Sequence, residues 1–332
     1  MTSIMTNASA LTALQSLSAT NKALEATQAR ISTGYRVAEA ADNAAYWSIA
    51  TTMRSDHKSL STVQDALGLG ASKVDIAYTG MNKALDTVNE IKVKLVAANG
   101  ASAADKDKID VEIKALQQQL KSYAASATFS GANWLSVNTT TGHAAAGTHD
   151  GVDIVSSFNR DASGTVTLGV IAIDVQKLKL YDAAAAATGL TDGILDAVRL
   201  GATGARSGAL AQEPTTFAEP VAGDTYTVAT ITVAGRSDNQ VTQMLNVVEE
   251  ALEEMMTAAT NLGAAKKQID LQKEFTTSLM DSIERGVGQL VDADMNKEST
   301  RLQALQVQQQ LGIQSLQIAN GNAQSILSLF QR

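Results

Sequence analysis

Histidines, paired carboxylates and glycine-rich turns are where chemistry would be sought first in this cysteine-free chain. The histidines are His57, His143 and His149. His57 lies in a polar stretch and reads as a surface residue. His143, His149, Asp150 and Asp153 could surround a metal only loosely, and their spacing matches no ligand pattern with a geometric rationale. There is no GxxxxGK[ST] loop to cradle phosphates, no GxGxxG at a strand–helix junction, and no GxSxG elbow to expose a nucleophilic serine. Glu249-Glu250 and Glu253-Glu254 fall within a helical pattern, where such steps make a solvated face. Without cysteine, thiolate catalysis, disulfides and Cys-ligated metals are excluded. The expectation is a protein with no catalytic residues, no metal site and no cofactor.

The chemistry left to the chain is that of packing, and its two ends are built for it. From Leu302 to Gln331 there is no Asp, Glu, Lys or Arg, and from Met1 there is none until Lys22. In the tail, Met295, Leu302, Leu305, Gly312, Leu316, Ala319, Ala323, Ile326 and Phe330 recur at steps of three and four or their sum. That period of about 3.5 residues belongs to a helix lying along another helix. A membrane span would need about 20 mostly apolar residues, and Gln303, Gln306, Gln308, Gln309, Gln310 and Gln314 interrupt the run too often. Low charge and many glutamines also suit a disordered tail, but the regular apolar stripe favours termini that order when they pack. An outer face of Gln, Asn and Ser, where a lone surface helix would carry charge, implies contact with further protein.

Elements with the same rhythm run through the chain. The first helix is expected from Asn7 to about Ile31, with Leu14, Leu17, Leu24 and Ile31 on one stripe. Asn21 and Gln28 take alternate heptad positions, where polar groups weaken a pair but fix its register. Ser32-Thr33-Gly34 interrupts it, and helix resumes near Ala44. Leu60, Val63, Leu67, Gly70, Val74, Ala77, Met81, Ala84, Val88, Ile91 and Leu95 keep strict three–four spacing up to a stop at Asn99-Gly100. Ser102 to Asp105 offers a cap for a third helix carrying Ile109, Ile113, Leu116, Leu120, Tyr123 and Ala127. Beyond the middle, Val241, Leu245, Val248, Leu252, Met255, Ala259 and Leu262 restore the pattern, which continues through Ile269, Leu279, Ile283 and Leu290 into the tail.

Between Phe129 and about Arg236 the composition turns to Gly, Thr, Ser and Ala. Residues 165–175 and 224–235 partly alternate and predict strands, and a helix is expected around Asp192–Leu200. The fold expected is mainly α with a β-rich insertion. It would be a rod of long antiparallel helices, its N- and C-terminal helices paired as a coiled coil and a small α+β domain at the outer end. The division expected is 1–40 with 290–332 for terminal assembly, 41–140 with 237–289 for the helical core, and 141–236 for a variable surface domain. A net charge of −8 over 332 residues argues against nucleic acid as a partner. Aromatics at 4 % suit long helices held by small and aliphatic side chains. The N-terminus shows neither a basic leader nor an apolar run of signal-peptide length, so any export would use another route.

Three separated motifs carry a family likeness. ARISTGYRVAEAADNAAYWSIA (Ala29–Ala50) resembles the N-terminal signature of bacterial flagellins. FSGANWLS (Phe129–Ser136) resembles the phrase that closes their second N-terminal core helix. The run from LVDADMNKEST to ILSLF resembles their C-terminal signature. The likeness covers roughly residues 1–136 and 237–332, and details such as Tyr46-Trp47 look most like flagellins of soil-dwelling alphaproteobacteria. It implies a structural subunit, secreted unfolded through the flagellar type III export apparatus. The subunit would polymerise with many copies of itself, and with sister flagellins, into the extracellular filament that drives swimming. An export chaperone, the filament cap and hook-junction proteins would be its other partners, with no membrane insertion. The assembly seam would be Leu14, Leu17, Leu24, Ile31, Leu302, Leu305, Leu316, Ile326 and Phe330. The rival readings are a hook–filament junction protein of the same superfamily and a secreted coiled-coil protein with a binding or enzymatic insertion.

The resemblance also touches host innate immune receptors. Arg30, Ser32, Thr33, Gly34, Arg36, Asp42, Ala44, Ala45, Ile49 and Ala50 match the segment by which plants sense flagellin. Asn43, Tyr46 and Trp47 depart from it, which counts against sensing. Lys92, Val93, Lys94 and Leu95 fall where flagellins seen by the vertebrate Toll-like receptor carry Arg-Val-Arg-Glu. Two bidentate arginines and an acid are thereby lost, and weak activation is expected. Thr139–Thr141 and Thr215-Thr216 are candidate glycosylation sites.

Overall fold

A computed structural model describes residues 7–137, 151–161, 163–182, 192–207 and 223–330, with residues 322–330 by backbone alone. Five helices dominate: α1 (Ala8–Thr33), α2 (Ala44–Ala98), α3 (Ala103–Ser126), α4 (Asp238–Val291) and α5 (Met295–Phe330). Their ends follow from local chemistry. Asn7 caps α1 by accepting the Ala10 amide at 3.0 Å. Gly34 ends it with φ +76°, a conformation that disfavours a Cβ. Asn99-Gly100 terminates α2 with Gly100 at φ +78°, and Ser102 Oγ accepts the Asp105 amide to start α3.

The chain divides into two compact units, Met1–Ser59 with Ser278–Arg332, and Leu60–Thr277. In the second, the expected row Leu60, Val63, Leu67, Val74, Ala77, Met81, Ala84, Val88, Ile91 and Leu95 is buried throughout. It faces Val241, Met244, Val248, Met255 and Leu262 of α4 and Ile113 and Leu120 of α3. Ion pairs Asp75–Lys266 and Lys92–Glu249 set α2 and α4 antiparallel. Asn133 ties the FSGANWLS phrase to the end of α3. Its amide donates to Ala124 O at 2.7 Å, and its oxygen accepts the Leu135 and Ser136 amides. Trp134 and Leu135 are thereby delivered to the core.

The insertion is less regular than its composition suggests. Among the described residues its one long sheet is the antiparallel hairpin of β4 (Gly151–Arg160) and β5 (Val166–Asp174), the latter close to the expected strand at 165–175. Ile154, Ile171 and Ile173 of this hairpin join the helical core. The described strands β1 (Thr128–Phe129), β2 (Ala132–Asn133), β3 (Ser136–Val137), β6 (Tyr181–Asp182), β7 (Arg199–Leu200) and β8 (Thr225–Tyr226) are two residues each.

Three expectations fail here. The helix at Asp192–Leu200 is instead a buried turn leading into β7, with the Ile194 and Leu195 amides bonded to Lys179 O and Leu180 O. The strand at 224–235 stops at Tyr226. Beyond it α3 side chains take over the pairing, since Gln117 donates to Val228 O and Ile231 O, and Asp110 accepts the Val233 amide. Glu254 also leaves the solvated face assigned to it. It receives Arg199 at 2.6 Å and Arg206 at 2.7 Å.

Among the described residues no helix is long and apolar enough to cross a membrane, and no group of three or more potential ligands could hold a metal. His57 is half-buried and Asp153 is exposed; His143, His149, Asp150, Thr139–Thr141 and Thr215-Thr216 lie outside the described residues.

Candidate functional site

Helices α1 and α5 lie together in antiparallel alignment. Three cross-links trace the direction. Asn7 Nδ2 donates to Ala319 O at 3.0 Å, Gln309 Nε2 donates to Asn21 Oδ1 at 2.8 Å, and Arg30 Nη1 donates to Glu298 Oε1 at 3.5 Å. As numbers rise on α1 they fall on α5. Asp294 starts α5 by accepting the Asn296 and Lys297 amides, the chemistry carried by the DADMNK run.

On α1 the covered row is Ala10, Ala13, Leu17, Thr20, Leu24, Thr27 and Ile31; on α5 it is Glu298, Leu302, Leu305, Gln309, Gly312, Leu316 and Ala319. Of the residues expected at the seam, Leu17, Leu24, Ile31, Leu302, Leu305 and Leu316 lie on these rows. Leu14 does not, being 54 % exposed, because the row passes through Ala13 beside it. The side chains of Ile326 and Phe330 are outside the described residues. The sequence reading missed Thr20 and Thr27, the two most deeply buried residues of α1, as well as Gln309 and Glu298. Their signal was positional: each holds a heptad place that an apolar-only count skips. Thr20 can be buried because its hydroxyl donates to Ser16 O within the same helix at 2.9 Å.

Among the described residues, one face of each helix is thus occupied, and the others are largely open. Leu11 and Leu14 on α1, and Val307, Leu311, Ile313 and Ile318 on α5, are all exposed, Ile318 at 67 %. These faces carry no charge on α5 beyond Arg301 or on α1 before Lys22. Glu298 is 7 % exposed, and its Oε2 has no hydrogen-bond partner.

The segment following α1 joins α2, α4 and α5. Arg36 Nη2 donates to Leu290 O at 2.9 Å, the Arg36 and Val37 amides donate to Val291 O, and the Ala293 amide donates to Gly34 O. The terminal carbonyls of α4, which a helix leaves unpaired, are thereby satisfied. Asp42 Oδ2 accepts the Ala38 amide at 2.9 Å, Asn43 Oδ1 accepts the Tyr46 amide at 3.1 Å, and Thr33 Oγ1 accepts the Tyr35 amide at 3.3 Å. Ser32 is exposed. Val37, Ala50, Val287 and Val291 make the small core of this unit. The residues matching the plant-sensed segment therefore include the joinery of this turn. In the region likened to the Toll-receptor motif, Lys92 pairs with Glu249 and Lys94 with Glu112. Val93 is exposed, while Leu95 is fully buried.

Comparison with known proteins agrees with this geometry. The model of the bacterial flagellin N-terminal helical region matches residues 4–140, and that of the C-terminal helical region matches residues 245–330. The chain is 49 % identical to flagellin C of Rhizobium meliloti (strain 1021) over 331 residues, covering 100 % of both chains. It is 47 % identical to a flagellin of Brucella melitensis biotype 1, again over 100 % of both. It is 41 % identical to flagellin A of Rhizobium meliloti, also over 100 % of both.

Proposed function

The chain belongs to the bacterial flagellin family and is a subunit of the flagellar filament, and from that premise we propose that α1 and α5 together form its assembly surface. The observation carrying this reading is the exterior that remains after the two helices have paired: charge-free from Ala8 to Asn21 and from Leu302 onward, with Leu11, Leu14, Val307, Leu311, Ile313 and Ile318 exposed among Gln, Asn and Ser. A soluble monomer rarely leaves such a surface uncovered. Burying it against other copies would release about 25 cal/mol per Å² of apolar surface. A head-to-tail contact that does not close on itself yields an open helical polymer.

The remaining assignments follow from the family. Residues 1–40 with 290–332 would make the assembly domain, 41–140 with 237–289 the helical core, and 141–236 the surface domain. The subunit would leave the cell through the flagellar type III apparatus, with an export chaperone, the cap and hook-junction proteins as partners. It would share its filament with sister flagellins, as the several flagellins of Rhizobium meliloti suggest. Ordering each backbone residue costs roughly 1–2 kcal/mol, so termini unpaired before assembly would restrain polymerisation in the cell.

Deleting Leu311–Arg332 tests the surface. The truncated protein should remain soluble and retain the folding transition of the unit Leu60–Thr277, yet form no filaments by electron microscopy when seeded. Filaments of normal length and diameter from the truncation would refute the assignment.

A further inference from the structure

An assembly seam must hold its two helices in one register, and the apolar side chains of α1 and α5 cannot do this alone. The α5 seam repeats by heptads, with Leu302, Gln309 and Leu316 in one row and Leu305, Gly312 and Ala319 in the other. A slide of seven residues, ~10.5 Å along the axis, still meets α1 with apolar side chains, bringing Leu302 and Leu305, or Leu316 and Ala319, to the places of Gln309 and Gly312.

Three features do not survive that slide. Asn21, bonded to Gln309 at 2.8 Å, would face Leu302 or Leu316 and leave two part-buried amides unmatched. Glu298, buried with its second oxygen unbonded, would lose Arg30, the cation at 3.5 Å. Leu17 would meet the side chain of Leu305 or Ala319. In the present register it lies over Gly312, where an added Cβ would stand 3.3 Å from Leu17 Cδ1. Thr20 marks the contrast: its hydroxyl is satisfied inside α1, so it travels with the helix and says nothing about register. Stranding a buried polar group costs more than its hydrogen bond contributes. Single polar pairs inside coiled coils specify alignment by this asymmetry.

We propose that Asn21–Gln309 and Arg30–Glu298 act as register pins that select one heptad alignment of α1 on α5, the one with Leu17 over Gly312, for entry into the filament. The proposal rests on the assembly reading above. The polar pairs weaken the seam and make it specific.

The absence of cysteine from the chain permits a direct test. The Cβ position at Gly312 lies 3.9 Å from Leu17 Cβ, within the range of about 3.5–4.5 Å for disulfides. Full-length L17C/G312C reports the native register, while L17C/L305C and L17C/A319C report slides in either direction. Each is assembled on wild-type seeds, oxidised, and scored for the intramolecular disulfide by peptide mass spectrometry. In the parent background the Leu17–Gly312 pair should close with a yield about tenfold or more above either slipped pair. With N21A, Q309A, R30A and E298A added, that preference should fall to within about threefold. Unchanged preference in the altered background overturns the proposal.

Should the altered background not assemble, charge exchange decides. R30E alone should broaden the set of pairs that close, and R30E/E298R should narrow it again; equal selectivity in parent, R30E and R30E/E298R also overturns the proposal. Failure of all three cysteine pairs in parent filaments refutes the α1–α5 pairing itself. That result is separable from failure of the pins, because it arises before any pin is altered.

Discussion

Asp196 shows how a single residue of the insertion couples burial to pH. Burial pushes its carboxyl up to about 6, against the pull of the Asp182 and Gly193 amides that bond to it and with a further upward push from the Asp182 charge. The Asp182 amide donates to Asp196 Oδ2 at 2.8 Å. Because the folded-state value lies above the unfolded one, the folded chain keeps this proton between pH about 4 and about 6, where the unfolded chain has released it. Stability from this group is therefore present below that window and lost as pH rises through it. Asp196→Asn retains an acceptor for the Asp182 amide and removes the titration. Allowing for the partial exposure of the group, wild type should lose roughly 2 kcal/mol more than the variant between pH 4 and pH 7. Urea unfolding of both proteins at the two pH values measures the difference, and parallel pH profiles would contradict it.

At the scale of elements, long-range pairing decides what a local reading can see. The α2 row from Leu60 to Leu95 was legible because a helix repeats its environment every turn and each position faces the same core. Polar residues at seam positions were not, since Thr20, Gln309 and Glu298 look like surface until their partners are known. The insertion was hardest. Thr225–Tyr226 begins as a strand, but Gln117 and Asp110, more than a hundred residues earlier, then satisfy its backbone, and no local alternation records that. Glu254 illustrates the consequence for stability. Burial would raise its carboxyl, but hydrogen bonds from Arg206 and Arg199 outweigh this and hold it low. Arg199 is fully buried, and Glu254 is the carboxylate bonded to it. Glu254→Ala should cost about 3–5 kcal/mol by leaving that guanidinium uncompensated. Its exposed neighbour Glu253→Ala should stay within about 0.5 kcal/mol. Chemical denaturation of the two variants separates them, and similar midpoints would show that the Arg199–Glu254 pair does not anchor the insertion to α4.

For the whole molecule, the distribution of charge matters more than its sum. The chain carries −8 in total, yet its terminal helices hold none of it from Ala8 to Asn21 or from Leu302 to Phe330, where their pairing leaves the outer faces open. Copies of an acidic subunit can approach through these faces without like charges meeting or being desolvated. Exposed apolar residues occur elsewhere too: Leu168 on β5 is 59 % exposed, against 67 % for Ile318 on α5. Exposure in the monomer does not distinguish them, but the proposed roles do. Ile318→Glu should leave monomer stability within about 0.5 kcal/mol. In the filament it would bury an unpaired carboxylate at a cost of several kcal/mol, raising the critical concentration by about 100-fold or abolishing growth. Leu168→Glu, in the segment assigned to the outer surface, should polymerise as wild type does. Sedimentation of seeded assemblies across a concentration series compares the two directly. Equal critical concentrations for Ile318→Glu and wild type would remove α5 from the assembly surface, whereas loss of growth in Leu168→Glu would make the insertion part of it.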